Sequence, residues 1–463
     1  MRMRGRVGLI GAGAAAGLLG PLALWRAWHD DADAARVPRL VPTDLRDRDP
    51  EATPAARRVY ALLAGLENDA RRGRATRTVI GQHVELQNER YNAGYGDYRG
   101  TKQPGYYYRK ARDIAGRLPG FVELDLGPGY GQPGWAVGTA RSYSRAWPAC
   151  RRFWGYTEDA VDLAVGVWSG LPRAADGSYR PSGTHRDCAS GAEVSLPHNG
   201  GGPAGLVGFS FHQPYPGSAV KGFEQTLLRN SPGAKDRGWF GRVVTPGSAE
   251  HRALLHDLDF LADHLGYLAD QGVPVLLRPY HEMNTRPGHG FWWAGQDPAA
   301  FRKLWRLAHD HLVHRRGLHN LIFVWSPSSW DGTYGRRPGA YYPGGRYVDV
   351  VGVDDYSDTP AEPIGGAWTE VWYRGLEEYR KPRVVAESFH VPLNAAQPRT
   401  LTRTPWVMWT VWGQALSYDN LAEPRAKNTT ADVKRTYGSP KVITGGRSVD
   451  VSDVDWESLN KSH

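Results

Sequence analysis

Apolar and polar positions alternate along this chain in a way that predicts a repeating strand-and-helix fold. Stretches with apolar residues at helical spacing, such as His251–Asp270 and Phe301–His314, separate most of the shorter apolar runs. Eight such runs, rich in β-branched and aromatic residues, are Thr78–His83, Phe121–Gly127, Leu206–His212, Val273–Glu282, Leu321–Pro327, Val348–Ser357, Arg383–Ser388 and Trp406–Trp412. The alternation predicts an α/β fold, a (β/α)8 TIM barrel of parallel strands with helices outside.

A doubly wound open sheet is the rival fold for such a pattern. In that fold a glycine-rich phosphate-binding loop commonly follows the first strand. No such loop follows Thr78–His83. The barrel is therefore the favoured architecture.

Two segments depart from the repeat. The long connection Pro128–Gly205, between the second and third strands, is rich in Gly, Pro, Tyr, Trp and Arg, and we interpret it as an insertion that shapes the cleft. It contains both cysteines, Cys150 and Cys188, which are candidates for a disulfide in an oxidising compartment, with two buried thiols as the alternative. The tail has one predicted helix near Thr430–Tyr437, and residues 441–463 are polar.

The N-terminal pattern is typical of an export segment. Three arginines, at positions 2, 4 and 6, precede an uncharged run from Val7 to Trp25, and Ala32–Ala34 offers a small-residue cleavage pattern. Residues 1–40 are predicted to be a signal peptide or an uncleaved membrane anchor through residues 7–25, and 41–440 to be the barrel. We expect the protein to be secreted or anchored at the cell surface, and to be a monomer.

Composition narrows the range of partners. At 463 residues and 41% hydrophobic, the chain can bury a large core, and one barrel uses nearly all of it. Setting residues 1–40 aside removes six Arg and three Asp, so the net charge of +9 falls to +6. There is no Lys/Arg block long enough to predict nucleic-acid binding. The basic surface is interpreted as solvated, with binding of anionic glycans as the alternative.

Two glutamates carry the candidate chemistry. Glu282 in LLRPYHEMN and Glu387 in RVVAES each come at the end of a predicted strand. In a parallel barrel all strand ends open onto one face, so these two carboxylates can meet across a single cleft. A pair of carboxyl groups, one ionised and one protonated, is what cleavage of a glycosidic bond requires.

The local sequences resemble glycoside hydrolase family 26, a family of β-1,4-mannanases and related β-glucanases and β-xylanases. The resemblance extends from about Thr78 to Tyr437 and rests on RPYHEMN, the later FWW, VGFSFH and VVAES. It implies that Glu282 is the general acid/base and Glu387 the nucleophile of a retaining mechanism. It also implies substrate-binding roles for further residues in the cleft: Arg278, His212, His281, Trp292, Trp293, Tyr356 and Trp409.

Other titratable residues have alternative interpretations. The pair His281–Glu282 is reminiscent of a zinc motif, but position 285 is Thr where HExxH needs its second histidine, so neither metal nor cofactor is predicted. His83 and Glu85 could line a distal sugar subsite. The remaining strand-end carboxylates are expected to be hydrogen-bonding or salt-linked scaffold groups: Glu123, Asp125, Asp354 and Asp355.

The predicted function is hydrolysis of a β-linked polysaccharide, with β-1,4-mannan as the first expectation. The spacer Met283–Gly290 and the Pro128–Gly205 insertion depart from the family pattern, and both border the predicted cleft. A β-1,3/1,4-glucanase or xylanase therefore remains an alternative. So do a cell-surface transglycosylase and a noncatalytic glycan-binding barrel.

Overall fold

A computed structural model of the chain describes its core, and all described residues belong to one unit, Val37–His463. The described residues are 39–74, 76–84, 106–127, 156–169, 183–186, 193–196, 205–219, 222–286, 288, 290–329, 337–356, 367–395, 399–416 and 428–445. The predicted export segment, both cysteines, Glu85 and the end of the polar tail lie outside these ranges, so the expectations for them remain predictions.

Eight parallel strands close into a barrel, which confirms the predicted fold class. Each barrel strand pairs with the next along the chain, and the last returns to pair with the first. These strands are β1 (Thr78–His83), β2 (Phe121–Asp125), β5 (Leu206–Phe211), β6 (Val275–Pro279), β7 (Leu321–Trp325), β8 (Val350–Asp355), β9 (Arg383–Ser388) and β10 (Met408–Trp412). The antiparallel pair β3 (Gly183–Arg186) and β4 (Glu193–Leu196) lies in the long connection, and β11 (Val442–Ile443) pairs with the start of β1.

Helices occupy the connections between the strands. They are α1 (Pro54–Arg71), α2 (Tyr106–Ala115), α3 (Tyr156–Ser169), α4 (Trp239–Val243), α5 (Ala249–Asp270), α6 (Pro298–Asp310), α7 (Ala367–Gly375), α8 (Thr400–Arg403) and α9 (Thr430–Gly438). The predicted stretch His251–Asp270 lies within α5. Phe301–His314 begins in α6 and ends in a π-helical turn, His311–Arg315.

Side-chain caps fix where these helices begin. Ser248 accepts a hydrogen bond from the His251 backbone N–H at the start of α5, and Asp297 accepts one from the Ala300 backbone N–H at the start of α6. Thr429 and Asp432 form a reciprocal capping box at α9, the predicted closing helix. Residues close in sequence thus supply the caps of these three helices.

Helix α1, which the sequence pattern did not single out, covers the N-terminal end of the barrel. Its apolar residues, including Val59 and Leu63, belong to one buried cluster with residues from the first halves of the strands, such as Val79 and Leu276. Arg383, the first residue of β9, donates to Glu67 of α1 at 2.9 Å, and both are buried. This end of the barrel is a packed core, which leaves the opposite end, where the strands terminate, for a binding site.

Close packing inside the barrel makes Gly208 a test of the fold. A Cβ at this position in β5 would lie 2.5 Å from the Phe121 ring and 3.1 Å from the Leu276 carbonyl oxygen. We expect Gly208→Ala to lower the free energy of unfolding by about 2–3 kcal/mol, because the interior cannot yield without displacing a strand. Chemical denaturation measures this change.

Gly241→Ala in α4 is the matched control. No heavy atom lies within 4 Å of a Cβ built there, so this variant should be neutral or slightly more stable. Equal stability of the two variants would contradict the packing of Phe121 against β5.

Candidate active site

An irregularity in β9 turns Glu387 into the barrel. Val384 of β9 pairs with Gly352 of β8. In a regular strand, side chains three positions apart point to opposite faces, so Glu387 would point away from the face that Val384 occupies. The register shifts after Val353, so that Asp354 pairs with Glu387 instead. A bulge of this kind re-aims the side chain that follows it. Glu387 consequently lies inside the mouth of the barrel with 3% of its surface exposed.

Three side chains from different strand ends donate hydrogen bonds to the Glu387 carboxylate. Arg278, on β6, donates to Oε1, and the Tyr356 hydroxyl, just after β8, donates to Oε2. Trp412, the last residue of β10, donates to Oε2 from Nε1 at 2.9 Å. Burial alone would raise the pKa of Glu387, but the charge of the Arg278 guanidinium and the hydrogen bonds from Tyr356 and Arg278 outweigh it and hold the pKa below its usual value. Glu387 is thus ionised at neutral pH, as a nucleophilic carboxylate must be.

Glu282 lies in a tight loop three residues beyond the end of β6, rather than on the strand as predicted. Its φ is +54°, and that of Tyr280 is +49°, in a region that residues with a Cβ rarely adopt. The Glu282 N–H donates to the Ser326 carbonyl at 2.9 Å, which fixes this loop to the end of β7. Such local strain costs about 1–3 kcal/mol per residue and is concentrated at functional sites.

The protonation preference of Glu282 is opposite to that of Glu387. Burial and the negative charge of Glu387 raise the pKa of Glu282 to about 7, although Arg278 and His212 act in the other direction. Because the two carboxyl groups influence each other's charge, they belong to one site. At neutral pH a large fraction of Glu282 therefore keeps its proton while Glu387 is charged.

Arg278 is the buried hub of the site. Its guanidinium donates hydrogen bonds to Glu387, to Glu123 at 2.6 Å and to Asp354 at 3.1 Å, and therefore contacts three carboxyl groups. Burial raises the pKa of Glu123 to about 7 and that of Asp354 well above its usual value. Protons on these two groups balance the charge and leave the negative charge on Glu387. Glu123 and Asp354 are thus hydrogen-bonding scaffold groups, one of the two alternatives that the sequence predicted.

Two histidines lie beside the carboxyl groups. The His281 ring has Nε2 3.8 Å from Glu387, and burial together with Arg278 holds its pKa well below the usual value, so it is neutral. The His212 ring meets that of His281 edge-on, with centroids 4.7 Å apart. His212 Nδ1 lies 3.0 Å from Asp125 Oδ2, which makes Asp125 a third scaffold carboxylate. The fourth, Asp355, accepts from the Ser329 hydroxyl at 3.1 Å.

His83 lies inside the mouth of the barrel, next to the centre of the site rather than at a distal subsite. Its ring stacks on Trp412 with centroids 4.0 Å apart. Burial lowers the pKa of His83 to about 3, despite the nearby charge of Glu387. Neither ring nitrogen has a hydrogen-bond partner within the described ranges.

Trp292 and Trp293 support the site from behind. Both are fully buried, and their indole N–H groups donate to the backbone carbonyls of Gln213 (2.8 Å) and His281 (2.7 Å). Phe291 stacks on Trp293 with centroids 4.6 Å apart, and its ring also meets the rings of both site histidines. Phe291 is therefore the residue of the FWW motif that contacts both His212 and His281.

On β10 the structure brings Trp412, and not Trp409, to the carboxylate. Trp409 is fully buried, and its N–H donates to the His390 carbonyl at 2.8 Å. The predicted place of Trp409 in the floor of the sugar site is thus corrected, because side chains three positions apart on a regular strand point to opposite faces. The signal that identifies Trp412 is its position as the last residue of the strand.

A cluster of possible metal ligands coincides with this site. Among the described residues, His281, Asp354 and Glu387 offer ligand atoms that all lie within 4.8 Å of one another. The Arg278 guanidinium already bonds both carboxylates, so it supplies the positive charge between them. We interpret the cluster as part of the carboxylate network.

Fold and site together match the class of (β/α)8-barrel glycoside hydrolases, with two carboxyl groups of opposite pKa shift at the C-terminal mouth of the barrel. The chain belongs to glycosyl hydrolase family 26, whose family model matches residues 194–444. The match contains both Glu282 and Glu387 and begins after the first two barrel strands. The family resemblance of the local motifs is thereby confirmed.

The curated relatives are mannanases that the chain matches over part of their length. It is 35% identical over 164 residues to "Mannan endo-1,4-beta-mannosidase A and B" of Caldalkalibacillus mannanilyticus, covering 34% of this chain and 29% of that protein. It is 32% identical over 199 residues to a mannan endo-1,4-beta-mannosidase of Thermothelomyces thermophilus, covering 42% and 36%. The chain thus spans about a third of the length of these two relatives.

Solved structures share the fold over most of the chain. A β-mannanase from a symbiotic protist of the termite Reticulitermes speratus superposes with a TM-score of 0.58 at 22% identity, covering 88% of this chain and 97% of that one. A ruminal endo-β-1,4-mannanase gives 0.60 at 20% identity, covering 89% and 72%. At these identities the likeness concerns the fold alone.

Within the described ranges, no helix is both long and apolar enough to span a membrane.

Proposed function

We propose that this protein is a retaining endo-hydrolase of β-linked polysaccharide, with β-1,4-mannan as its first substrate. The observation that carries the proposal is the pair of carboxyl groups with opposite pKa shifts at one barrel mouth. Glu387, with three donors, is poised to attack an anomeric carbon, and Glu282, with a pKa of about 7, to protonate the leaving oxygen.

The proposed reaction proceeds in two displacements. Glu387 attacks the anomeric carbon while Glu282 gives its proton to the departing glycosidic oxygen, which leaves a glycosyl ester on Glu387. Esterification removes the negative charge that raises the pKa of Glu282. Glu282, which has given up its proton, then stays ionised because its pKa has fallen. It acts as the base that takes a proton from the water as this water hydrolyses the ester.

The choice of mannan rests on the family and on the relatives. Both curated relatives described above are named as mannan endo-1,4-beta-mannosidases. The described contacts do not distinguish one β-linked pyranose from another, because none of them identifies a group that would bind the hydroxyls specific to one sugar. Secretion or surface attachment would place the enzyme where such polymers occur, and we propose it on the N-terminal pattern of the sequence.

A panel of polysaccharides tests the proposal. We would incubate the full chain with galactomannan, glucomannan, mixed-linkage glucan and β-1,3- and β-1,4-xylan, and analyse the released oligosaccharides. Release of manno-oligosaccharides supports the mannan assignment, whereas release from another polymer alone would reassign the substrate to a glucanase or xylanase. Predominant elongation products would identify a transglycosylase. No product from any polymer would reject the proposed function.

A further inference from the structure

Asp125 makes two contacts with His212 and one each with Gly127 and Ser210, whose hydroxyl donates to Oδ1 at 3.4 Å. Oδ2 lies 3.0 Å from His212 Nδ1, and Oδ1 accepts from the backbone N–H groups of His212 and Gly127, each at 3.0 Å. Both side chains are buried. A Cβ at Gly127 would lie 2.5 Å from the His212 carbonyl oxygen, so the chain approaches the pair too closely for any side chain there. The carboxylate is therefore fixed relative to the ring.

The other edge of the His212 ring faces the active-site groups. An imidazole that directs Nδ1 at Asp125 directs Nε2 to the opposite side, away from β2. The ring lies edge-on to those of His281 (4.7 Å) and Phe291 (5.1 Å), which both follow β6. The charge of His212 also influences Glu282. His212 thus connects a buried carboxylate to the acid/base side of the cleft.

We propose that Asp125 is a positioning residue: it holds a proton on His212 Nδ1 and so fixes which ring nitrogen, Nε2, is presented to the glycan beside Glu282. The inference rests on the proposed function, since it concerns the same cleft. Its physical basis is that an ionised carboxylate only accepts hydrogen bonds, so the ring must keep an N–H on the Asp125 side. Asparagine in its place can donate and would favour the other tautomer.

Several charged or titratable groups bear on the protonation of His212. They are Asp125 on β2, Arg278 on β6, His281 and Glu282 after β6, Glu387 on β9 and His83 on β1. Burial would lower the pKa of His212, but Asp125 and then Glu387 outweigh burial and Arg278, and the pKa is raised. The pair is thus suited to keep the ring positively charged near Glu282 over a wider pH range than an isolated histidine.

A double-mutant cycle tests whether Asp125 acts through the ring. Asp125→Asn should lower kcat/KM by about 10- to 100-fold, the loss typical when the carboxylate that orients a functional histidine is removed from a metal site. His212→Gln replaces the ring with a group that has no Nδ1. In that background Asp125→Asn should cost no more than about twofold, because the ring through which it acts is gone. Equal losses in both backgrounds would overturn the proposal and assign Asp125 a merely structural role.

Asp349→Asn is the matched control for the cycle. Asp349 is also a buried aspartate that accepts from a backbone N–H, that of Phe323 at 2.8 Å, and from a cation, Arg48. It directly precedes β8, at the opposite end of the barrel from the cleft. The kcat/KM of Asp349→Asn, corrected for the folded fraction, should match that of the wild type.

Nitrogen-15 NMR of the histidine rings provides a readout independent of activity and of the variants' stability. The His212 signals are those absent from His212→Gln. In the wild-type protein Nδ1 should remain protonated at every pH while Nε2 titrates, whereas an unprotonated Nδ1 would overturn the proposal. Absence of glycan cleavage by the wild type would reject the proposed function and leave this NMR result standing, so the two failures are distinguishable.

Discussion

Replacing Glu387 by glutamine is expected to reduce kcat on a β-glycan by at least about 10⁴-fold, the range found when a covalent nucleophile is removed. Glutamine retains the size of the side chain, and its single carbonyl oxygen can accept either from Arg278 or from Tyr356 and Trp412, so the fold should persist with some loss of stability. It cannot attack an anomeric carbon as an anion. Initial rates on the polysaccharide that the wild type prefers measure the loss of kcat, and thermal unfolding measures whether the fold persists.

The matched control for Glu387→Gln is Glu67→Gln. Glu67 is an equally buried glutamate that also accepts from arginines, Arg71 at 2.7 Å and Arg383 at 2.9 Å, but it lies at the closed end of the barrel. Glu67→Gln should affect stability and leave kcat of the folded protein unchanged. A similar loss of kcat in both variants would show that loss of a buried ion pair, and not of a nucleophile, explains the result.

The variant Glu387→Ala is a second test of Glu387 as the nucleophile, because the smaller side chain leaves space for an external anion. Azide that enters this space should restore part of the turnover of an activated aryl glycoside and attack from the side that Glu387 occupied. The product should then be a glycosyl azide of inverted anomeric configuration. A product that retains the configuration would place the nucleophile elsewhere.

The strands and several helices of this barrel could be predicted from the sequence because their signals are local. Buried parallel strands are short and apolar on both faces, and Ser248, Asp297 and Thr429 mark helix starts through hydrogen bonds to residues three positions ahead. Helix α1 carries the same local signals, Thr53 and Pro54. Its place across the end of the barrel depends on contacts with strands distant in sequence, which no local pattern encodes.

Site residues whose place depends only on their position at a strand end could be predicted. Side-chain orientations that depend on strand register could not. Glu387 and Arg278 come at strand ends, and strand ends meet in a parallel barrel. The bulge at β9 could not be foreseen, because it depends on how β8 pairs with its neighbour. Trp292 and Trp293 were predicted at the sugar, but burial and backbone partners fix them behind it. An aromatic motif alone does not show which ring faces a ligand.

Replacing Glu282 by alanine should separate the two steps of the proposed reaction. On polysaccharide, whose leaving oxygen needs a proton, kcat should fall by about 10³- to 10⁴-fold, toward the upper part of the usual contribution of general acid/base catalysis. On an aryl glycoside with a very acidic leaving group the first step needs no acid and should survive. Release of the phenol should then show a burst followed by slow turnover, as the glycosyl ester accumulates. Rapid-quench kinetics measures the burst.

The pH dependence gives the same assignment independently. Glu282 must be protonated for the first step, and burial with the charge of Glu387 raises its pKa to about 7. Wild-type activity on polysaccharide should therefore decline as the pH rises through about 7, and this alkaline limb should be missing from the Glu282→Ala profile. On the acid side activity should persist below the usual pKa of a glutamate, because Arg278 keeps Glu387 ionised. An alkaline limb that survives in Glu282→Ala would assign the acid to another group of the Arg278 network, with Glu123, whose pKa is also raised to about 7, as the first to replace.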